Sequence, residues 1–187
     1  MKAMILCLSP KECVKLLNGD LSILVRKRFP KDYVGWVYIY CTKDKKIFLR
    51  DFRDKKKWAT YWKFVAMGND SSNVGELPPI LNGKVVTRFW CDKVEEIEWE
   101  LPNKLIFPKN MLENACLSGE ELYKYLGEKG GYAIHITKLE TFDKPKEISD
   151  FRVFPKVKRI ETDKDFYLFT YGKPLTHTLK TYCYVEI

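Results

Sequence analysis

The chain has 187 residues, 45% of them hydrophobic and 14% aromatic, and this composition excludes an intrinsically disordered protein. Its length favours one domain over residues 1–187. The formal net charge of +8, from 33 Lys and Arg against 25 Asp and Glu, attracts polyanions and favours nucleic acid as a partner.

The cysteines and the N-terminus indicate the compartment. No two of the six Cys have the two-residue spacing of a zinc knuckle or redox motif, and the chain has only two His, so we expect no metal and no cofactor. The apolar stretch in Met1–Leu6 is too short for a signal peptide, and no window approaches the ~20 apolar residues of a membrane span. These features predict a cytoplasmic protein with reduced cysteines and no membrane contact. We also expect it to be a monomer.

The first elements in chain order are a short buried strand, Met4–Leu8, and a helix. Ser9 is a suitable N-cap, Pro10 fits the first helical position, and Glu12 completes a capping box with Ser9. Gly19 is placed to end the helix in a left-handed turn.

Two strands follow this helix. Leu21–Arg28 reads as a strand that ends in three cations, and after a turn at 29–32 the aromatic and β-branched residues of Trp36–Cys41 indicate another strand. Residues 43–83 are less regular, with a strand expected over Ile47–Phe52 and a loop-like composition from Gly68 to Asn82.

The second half of the chain repeats the pattern of short strands around one helix. Ser118 and Glu121 form a second capping-box signature, and Gly127 is the stop signal of that helix, while Lys144–Phe151 reads as a turn. The expected strands are Lys84–Asp92, Val94–Trp99, Gly131–Ile136, Phe166–Tyr171 and Tyr182–Ile187. Because short strands dominate and no βαβ rhythm repeats, we predict an α+β fold: a small, mostly antiparallel β-barrel with two or three helices and insertions near 50–82 and 152–171.

Three blocks of the chain, in their order and spacing, resemble the ASCH family of the PUA-like superfamily, and in particular the ASCH-like proteins of phages and prophages. The blocks are Ile5–Lys11 with Leu16–Gly19, Arg26–Arg28 and Val37–Thr42; Gly83–Val86 with Phe89 and Cys91–Asp92; and Ala115–Tyr125 with Tyr132–Ile136, Lys144–Lys146, Phe151, Lys173–Leu175 and Cys183–Glu186. The resemblance implies a PUA-like barrel whose cleft receives a nucleic acid or nucleotide-like ligand, with Arg26 at the cleft.

The chain departs from the family signature, Gly-x-Lys-x-x-Glu-x-Arg, in which Thr replaces Glu in some members. Gly19 and Arg26 match, but Leu21 stands at the Lys position and Leu24 at the Glu or Thr position. In family members that hydrolyse acylated cytidines, this Lys and Thr are implicated in catalysis. Leucine can neither transfer a proton nor attack a carbonyl, so we expect no catalytic residues of that type.

The candidate phosphate contacts are cationic. Arg26 and Arg28 share one face of a strand and can bind phosphate bidentately, with Lys27 on the other face; the alternative is a solvated strand end. Lys11 can hold an anion beside the first helix N-terminus, or is simply solvated. Lys180 lies where phage relatives carry Pro-Pro-Gln-Ser-aromatic, a stretch that can line the cleft.

The candidate base contacts are aromatic, with one histidine. Trp36 and Tyr38 share a strand face with Tyr40 and can form walls for a base, although three aromatics at this period also suit a core. His135 can contact a ligand, or pack with a hydrogen bond.

The leading hypothesis is binding of RNA, or of a modified or single-stranded nucleotide, with Arg26 as the phosphate anchor. The alternatives are a nucleoside amidohydrolase or nuclease with Glu12, Asp92 or Glu121 as its carboxylates, and a phage protein that binds a host protein through the two insertions.

Overall fold

The computed structural model describes residues 2–52, 64–67, 78–101, 104–153, 174–175 and 182–187. The strands are β1 (Lys2–Leu8), β2 (Ile23–Arg26), β3 (Gly35–Cys41), β4 (Phe48–Asp51), β5 (Phe64–Met67), β6 (Lys84–Cys91), β7 (Val94–Leu101), β8 (Lys104–Ile106), β9 (Gly131–His135), β10 (Thr137–Glu147), β11 (Arg152–Val153) and β12 (Tyr182–Glu186). The α-helices in these ranges are α1 (Pro10–Asn18), α2 (Met111–Asn114) and α3 (Gly119–Leu126). None of the described helices is long and apolar enough to cross a membrane.

The strands form a six-stranded sheet in the order β10-β6-β3-β1-β12-β11, a four-stranded sheet in the order β2-β9-β7-β8, and the pair β4-β5. Among the described strands, β1 and β3 pair in parallel and the other pairs are antiparallel. The parallel pair requires a crossover, which α1 and β2 supply.

Two continuous runs of chain join the larger sheets. The chain passes from β6 to β7 across residues 92–93, and from β9 to β10 through Ile136 alone. Lys138, at φ 46°, bends the second run just after it enters the six-stranded sheet. Strands that change sheets at such bends form the corners of barrel-like sandwiches.

β2 is buried on both faces. Leu24 belongs to the core cluster between the two larger sheets, while Ile23 and Val25 belong to the cluster between the four-stranded sheet and helices α2 and α3. Full burial of one such aliphatic side chain contributes about 1.5–3 kcal/mol. β2 is thus held firmly, and Arg26 at its end has a defined position.

The predicted α+β fold, mostly antiparallel and with two or three helices, is confirmed. Both capping boxes form where they were predicted. The expected strand Phe166–Tyr171 lies outside the described residues.

Two local predictions were wrong. The strand expected over Leu21–Arg28 is shorter, because β2 ends at Arg26 and residues 27–28 form a bend. The turn expected from Lys144 is strand up to Glu147. β10 lies at the edge of its sheet and shifts register after Thr141, and an edge strand tolerates Pro145 because its missing N–H is not needed in the ladder.

Candidate functional site

A pocket of about 280 Å³ lies between α1, β2 and the segment that contains α2 and α3. Its floor is apolar and consists of Leu21, Ile23, Leu24, Val25, Ala115 and Leu117. Five residues with polar side chains complete the lining, namely Glu12, Lys15, Arg26, Glu121 and Tyr125. A mainly apolar cavity with a few convergent polar groups has the usual character of a small-ligand site.

The two glutamates reach the pocket because each is the third residue of a capped helix. The backbone N–H of Ser9 donates to Glu12 Oε2 at 2.8 Å, and Glu12 N–H donates to Ser9 Oγ at 3.3 Å. At α3 the N–H of Ser118 donates to Glu121 Oε2 at 2.8 Å, and Glu121 N–H donates to Ser118 Oγ at 3.1 Å. Each box satisfies donors that the first turn of a helix leaves without partners.

Arg26 joins the end of β2 to α1. Its Nη2 lies 3.0 Å from Glu12 Oε1 in an ion pair and donates to the carbonyl of Cys7 at 3.4 Å. Its Nη1 donates to the carbonyl of Val25 at 2.7 Å. The Arg26 side chain is 13% exposed and that of Glu12 is 39% exposed, so the pair lies at the boundary between pocket and solvent.

These contacts set the ionisation of Glu12. Burial by itself would raise the pKa of the Glu12 carboxyl, but the charge of Arg26 and the hydrogen bonds from Ser9 and Arg26 outweigh burial, so the pKa lies below its usual value. The backbone N–H and the hydroxyl of Ser9 each donate a hydrogen bond of 2.8 Å to Oε2 of Glu12. Glu12 is therefore a carboxylate at neutral pH.

Glu121 is also ionised at neutral pH. Its hydrogen bonds with Ser118, from the backbone N–H first and then the side chain, lower the pKa of its carboxyl. General-acid chemistry at neutral pH needs a carboxyl whose pKa is raised, and both pocket glutamates are shifted the other way. The pocket offers hydrogen-bond acceptors instead.

The rim of the pocket combines cations with an aromatic ring. Lys15 Nζ donates to the carbonyl of Cys116 at 3.2 Å. Lys27 Nζ lies 5.4 Å from the centre of the Tyr125 ring, within the range of a cation–π contact. Tyr125 is 40% exposed and lines the pocket, so its ring remains accessible at the pocket mouth.

Of the predicted cationic site residues, Arg26 lines the pocket, and Lys27 touches its rim through Tyr125. Lys11 and Arg28 are exposed, Lys11 on the first turn of α1 and Arg28 in the bend after β2. Lys180 lies outside the described residues.

Trp36 and Tyr38 lie on the face of β3 that points away from the inter-sheet core. Tyr38 is only 4% exposed and packs against Phe142 and Phe151, with ring centroids 6.0 and 5.1 Å away. It is therefore a core residue, which was the alternative to a wall for a base. Trp36 is partly buried under the Arg88 guanidinium, which lies 4.1 Å from its ring. Neither belongs to the lining of the pocket.

His135 is partly exposed, and its Nε2 lies 2.5 Å from Glu95 Oε2. Glu95 also accepts from Lys93 Nζ at 2.7 Å. His135 is paired in register with Ile23 of the pocket floor, but its ring is bound to Glu95 and does not line the pocket. Among the described residues, no group of three or more His, Cys, Asp or Glu is placed to hold a metal ion.

Four polar pocket residues, Glu12, Lys15, Glu121 and Tyr125, were not among the predicted binding residues, although Glu12 and Glu121 were named as carboxylates of the hydrolase alternative. A signal for them was present, because Tyr125 follows Glu121 by four residues and Lys15 follows Glu12 by three, so each pair shares one helix face. What the spacing did not show is that the two helix faces line the same pocket together with β2.

No protein-family model matches the chain, and no curated protein matches it. Two solved structures are similar to it. One is ASCH from Zymomonas mobilis, with a TM-score of 0.46 and 12% identity over 78% of this chain and 73% of that chain. The other is a single-residue mutant of that protein, with a TM-score of 0.46 and 13% identity over 79% and 77% of the two chains. Both are ASCH proteins, the family that the sequence blocks resemble.

Proposed function

We propose that the pocket between α1, β2 and α3 binds one base of a single-stranded nucleic acid or of a nucleotide-like ligand. The observation that carries this proposal is an apolar floor bordered by an exposed aromatic ring and by cations. A stacked base and its phosphate need this combination of surfaces.

The base is held by stacking and by hydrogen bonds. Tyr125 stacks on the base, and a base–aromatic contact contributes about 1–3 kcal/mol. The carboxylates of Glu12 and Glu121 accept from the N–H groups of the base, since both are ionised at neutral pH. The volume of about 280 Å³ suits one unpaired base, whereas drug-sized ligands occupy roughly 300–1,000 Å³.

The phosphates are held by the cations at the end of β2. Three of the five N–H groups of Arg26 donate to Glu12, Val25 and Cys7, which leaves two for a phosphate oxygen. Lys27 and Arg28 are exposed beside it and extend the contact to neighbouring phosphates. The net charge of +8 adds attraction at long range.

Hydrolysis is the second candidate function, and one observation favours it. Of the three carboxylates considered, Glu12 and Glu121 line the same pocket, whereas Asp92 does not. Both pKa values are lowered, so these carboxylates can serve as bases but not as acids at neutral pH. Turnover of an acylated nucleoside that disappears in Glu12→Gln or Glu121→Gln would support this function over binding alone.

Anisotropy of a labelled single-stranded RNA and of a DNA with the same sequence tests binding, at about 50 and 200 mM salt. We expect affinity to fall steeply with salt, because phosphate contacts release counterions. Tyr125→Ala should weaken binding roughly 5- to 150-fold, the equivalent of one lost stacking contact.

Tyr123→Ala is the matched control. Tyr123 lies on the same helix and is 48% exposed, against 40% for Tyr125, but does not line the pocket. Its replacement should leave affinity unchanged. If neither strand binds wild type at low salt, or if the two tyrosine variants lose affinity equally, the proposed site is wrong.

A further inference from the structure

A second cavity, an open groove of about 560 Å³, lies at the opposite end of β1 from Arg26 and Cys7. The loop between β2 and β3 forms one side of it, and β1 with β12 forms the other. Its lining is Lys2, Pro30, Lys31, Asp32, Tyr33, Val34 and Tyr184.

The groove repeats the surface chemistry of the first pocket. Lys2 Nζ lies 3.8 Å from the centre of the Tyr184 ring, as Lys27 lies over Tyr125 in the first pocket. Lys31 is exposed at the rim, and Val34, 60% exposed, adds an apolar surface. An aromatic ring flanked by two lysines and an apolar side chain suits a stacked base with its phosphate.

The groove has a fixed shape. The Tyr33 hydroxyl donates to the carbonyl of Trp36 at 2.7 Å, and the rings of Tyr33 and Tyr184 lie 6.2 Å apart. Phe29, 4% exposed, anchors the loop in the core and meets Tyr33 edge-on at 5.7 Å. The loop is therefore held at both its start and its end.

A short basic turn connects the two cavities. Arg26 lines the first pocket, and Pro30, four residues later, lines the groove. Even a fully extended chain of this length spans only about 14 Å, so the two residues lie no further apart than that. Lys27, Arg28 and Lys31 are exposed along this turn. Among the described residues, neither Arg28 nor Lys31 forms an ion pair with a carboxylate, so their charges are available to a polyanion.

We propose that the pocket and the groove are two base sites for one single strand, whose phosphates follow the turn from Arg26 to Lys31. This inference rests on the proposed function and narrows its ligand to an oligonucleotide. A mononucleotide would engage only the first pocket and would leave the turn and the groove without a role.

The test is a length series of labelled single strands from one to about eight nucleotides, in the range of site sizes known for single-strand binding folds. We expect wild-type affinity to rise with length and to level off once the strand reaches both cavities. Tyr184→Leu should weaken binding of the longest strand roughly fivefold or more and leave the mononucleotide unaffected. Tyr125→Ala should weaken both.

Lys31→Ala is a second variant that leaves the aromatic packing of Tyr184 intact. It should lower the salt slope for the longest strand by about one contact and not change mononucleotide binding. Lys45→Ala, which removes an equal charge from an exposed residue outside both cavities, is its control and should have no such effect.

The outcomes separate the two proposals. If Tyr184→Leu and Lys31→Ala bind the longest strand as wild type does while Tyr125→Ala does not, the groove is not a base site and the first pocket stands. If affinity does not increase with length, the two-site inference is also overturned. If wild type binds neither mononucleotide nor oligonucleotide, the proposed function itself fails.

Discussion

Helices α1 and α3 begin with the same capping box, and the glutamate of each box lines the same pocket, yet the two carboxylates have different surroundings. Glu12 is bound to Arg26, which comes from β2, 14 residues further along the chain. Glu121 is exposed, and its hydrogen bonds come from Ser118 within its own helix cap. A shared local motif therefore produces the same cap but not the same electrostatic role.

The difference has a physical basis in distance along the chain. A capping box joins groups three residues apart, so its geometry follows from the helix itself. An ion pair between a helix and a strand exists only after the sheet has formed, and it removes two charges partly from water. Substitutions that remove the cap should therefore destabilise the protein equally in the two boxes. Substitutions that remove the carboxylate charge should have different effects on stability in the two boxes.

The largest effect is expected for Arg26→Ala. Without Arg26 the half-buried Glu12 carboxylate loses its counter-charge, and we expect unfolding in urea at pH 7 to show a loss of about 1–3 kcal/mol. The loss should shrink as pH falls through the carboxyl pKa, because a protonated Glu12 no longer needs a partner. An equal loss at neutral and acidic pH would show that Arg26 stabilises the fold by packing and not through Glu12.

Removal of the caps should affect both helices alike. Ser9→Ala and Ser118→Ala each delete the hydroxyl that accepts from the third helical residue, and each should lower the free energy of unfolding by about 0.5–2 kcal/mol. Urea unfolding of the two variants side by side measures this. A loss confined to Ser9→Ala would contradict the equivalence of the two caps.

Glu12→Gln keeps a capping side chain but removes its charge. The pKa of Glu12 is lowered in the folded state, so its charge stabilises the protein above the unfolded-state pKa and this contribution is lost as pH falls through the folded-state pKa. Since Glu12 is 39% exposed, the loss at pH 7 should not exceed about 1 kcal/mol. The difference between Glu12→Gln and wild type should vanish once the pH has fallen below the folded-state pKa of Glu12; a difference that grows in acid would show that the pKa is raised and not lowered.

Glu121→Gln is the matched variant and should have the smallest effect. Its carboxylate is exposed and hydrogen-bonded only to Ser118 among the described residues, and glutamine can replace it in the box. We expect its urea midpoint at pH 7 to lie closer to that of wild type than the Glu12→Gln midpoint does. The reverse order would show that the electrostatic difference between the boxes has been misassigned.

The features that were predicted correctly depend on contacts a few residues apart. Ser9 with Glu12 and Ser118 with Glu121 marked both helix starts, and alternation placed Trp36, Tyr38 and Tyr40 on one face of β3. Alternation could not show that Phe142 and Phe151 would cover Tyr38, because their positions depend on how β10 and the segment after it fold back.

The candidate site was predicted only in part. Arg26 was assigned to the ligand cleft through a family resemblance, and it lines the pocket. Its partnership with Glu12 was not foreseen, nor was the part that Tyr125 plays at the rim. Pro145 is another position where the local sequence was not sufficient for the prediction. The sequence around it is typical of a turn, but the residue lies in β10, at the edge of a sheet.

The amino-acid sequence by itself determined where α1 and α3 begin, most of the strand segments, the positive charge and the apolar residues at Leu21 and Leu24. The tertiary structure decided that β1 pairs in parallel with β3, that residues of α1, β2 and α3 line one pocket, and that Arg26 faces Glu12. Caps and alternation are local and act within three or four residues. Strand order joins residues far apart in the chain, and many arrangements satisfy the same hydrophobic pattern until the whole core packs.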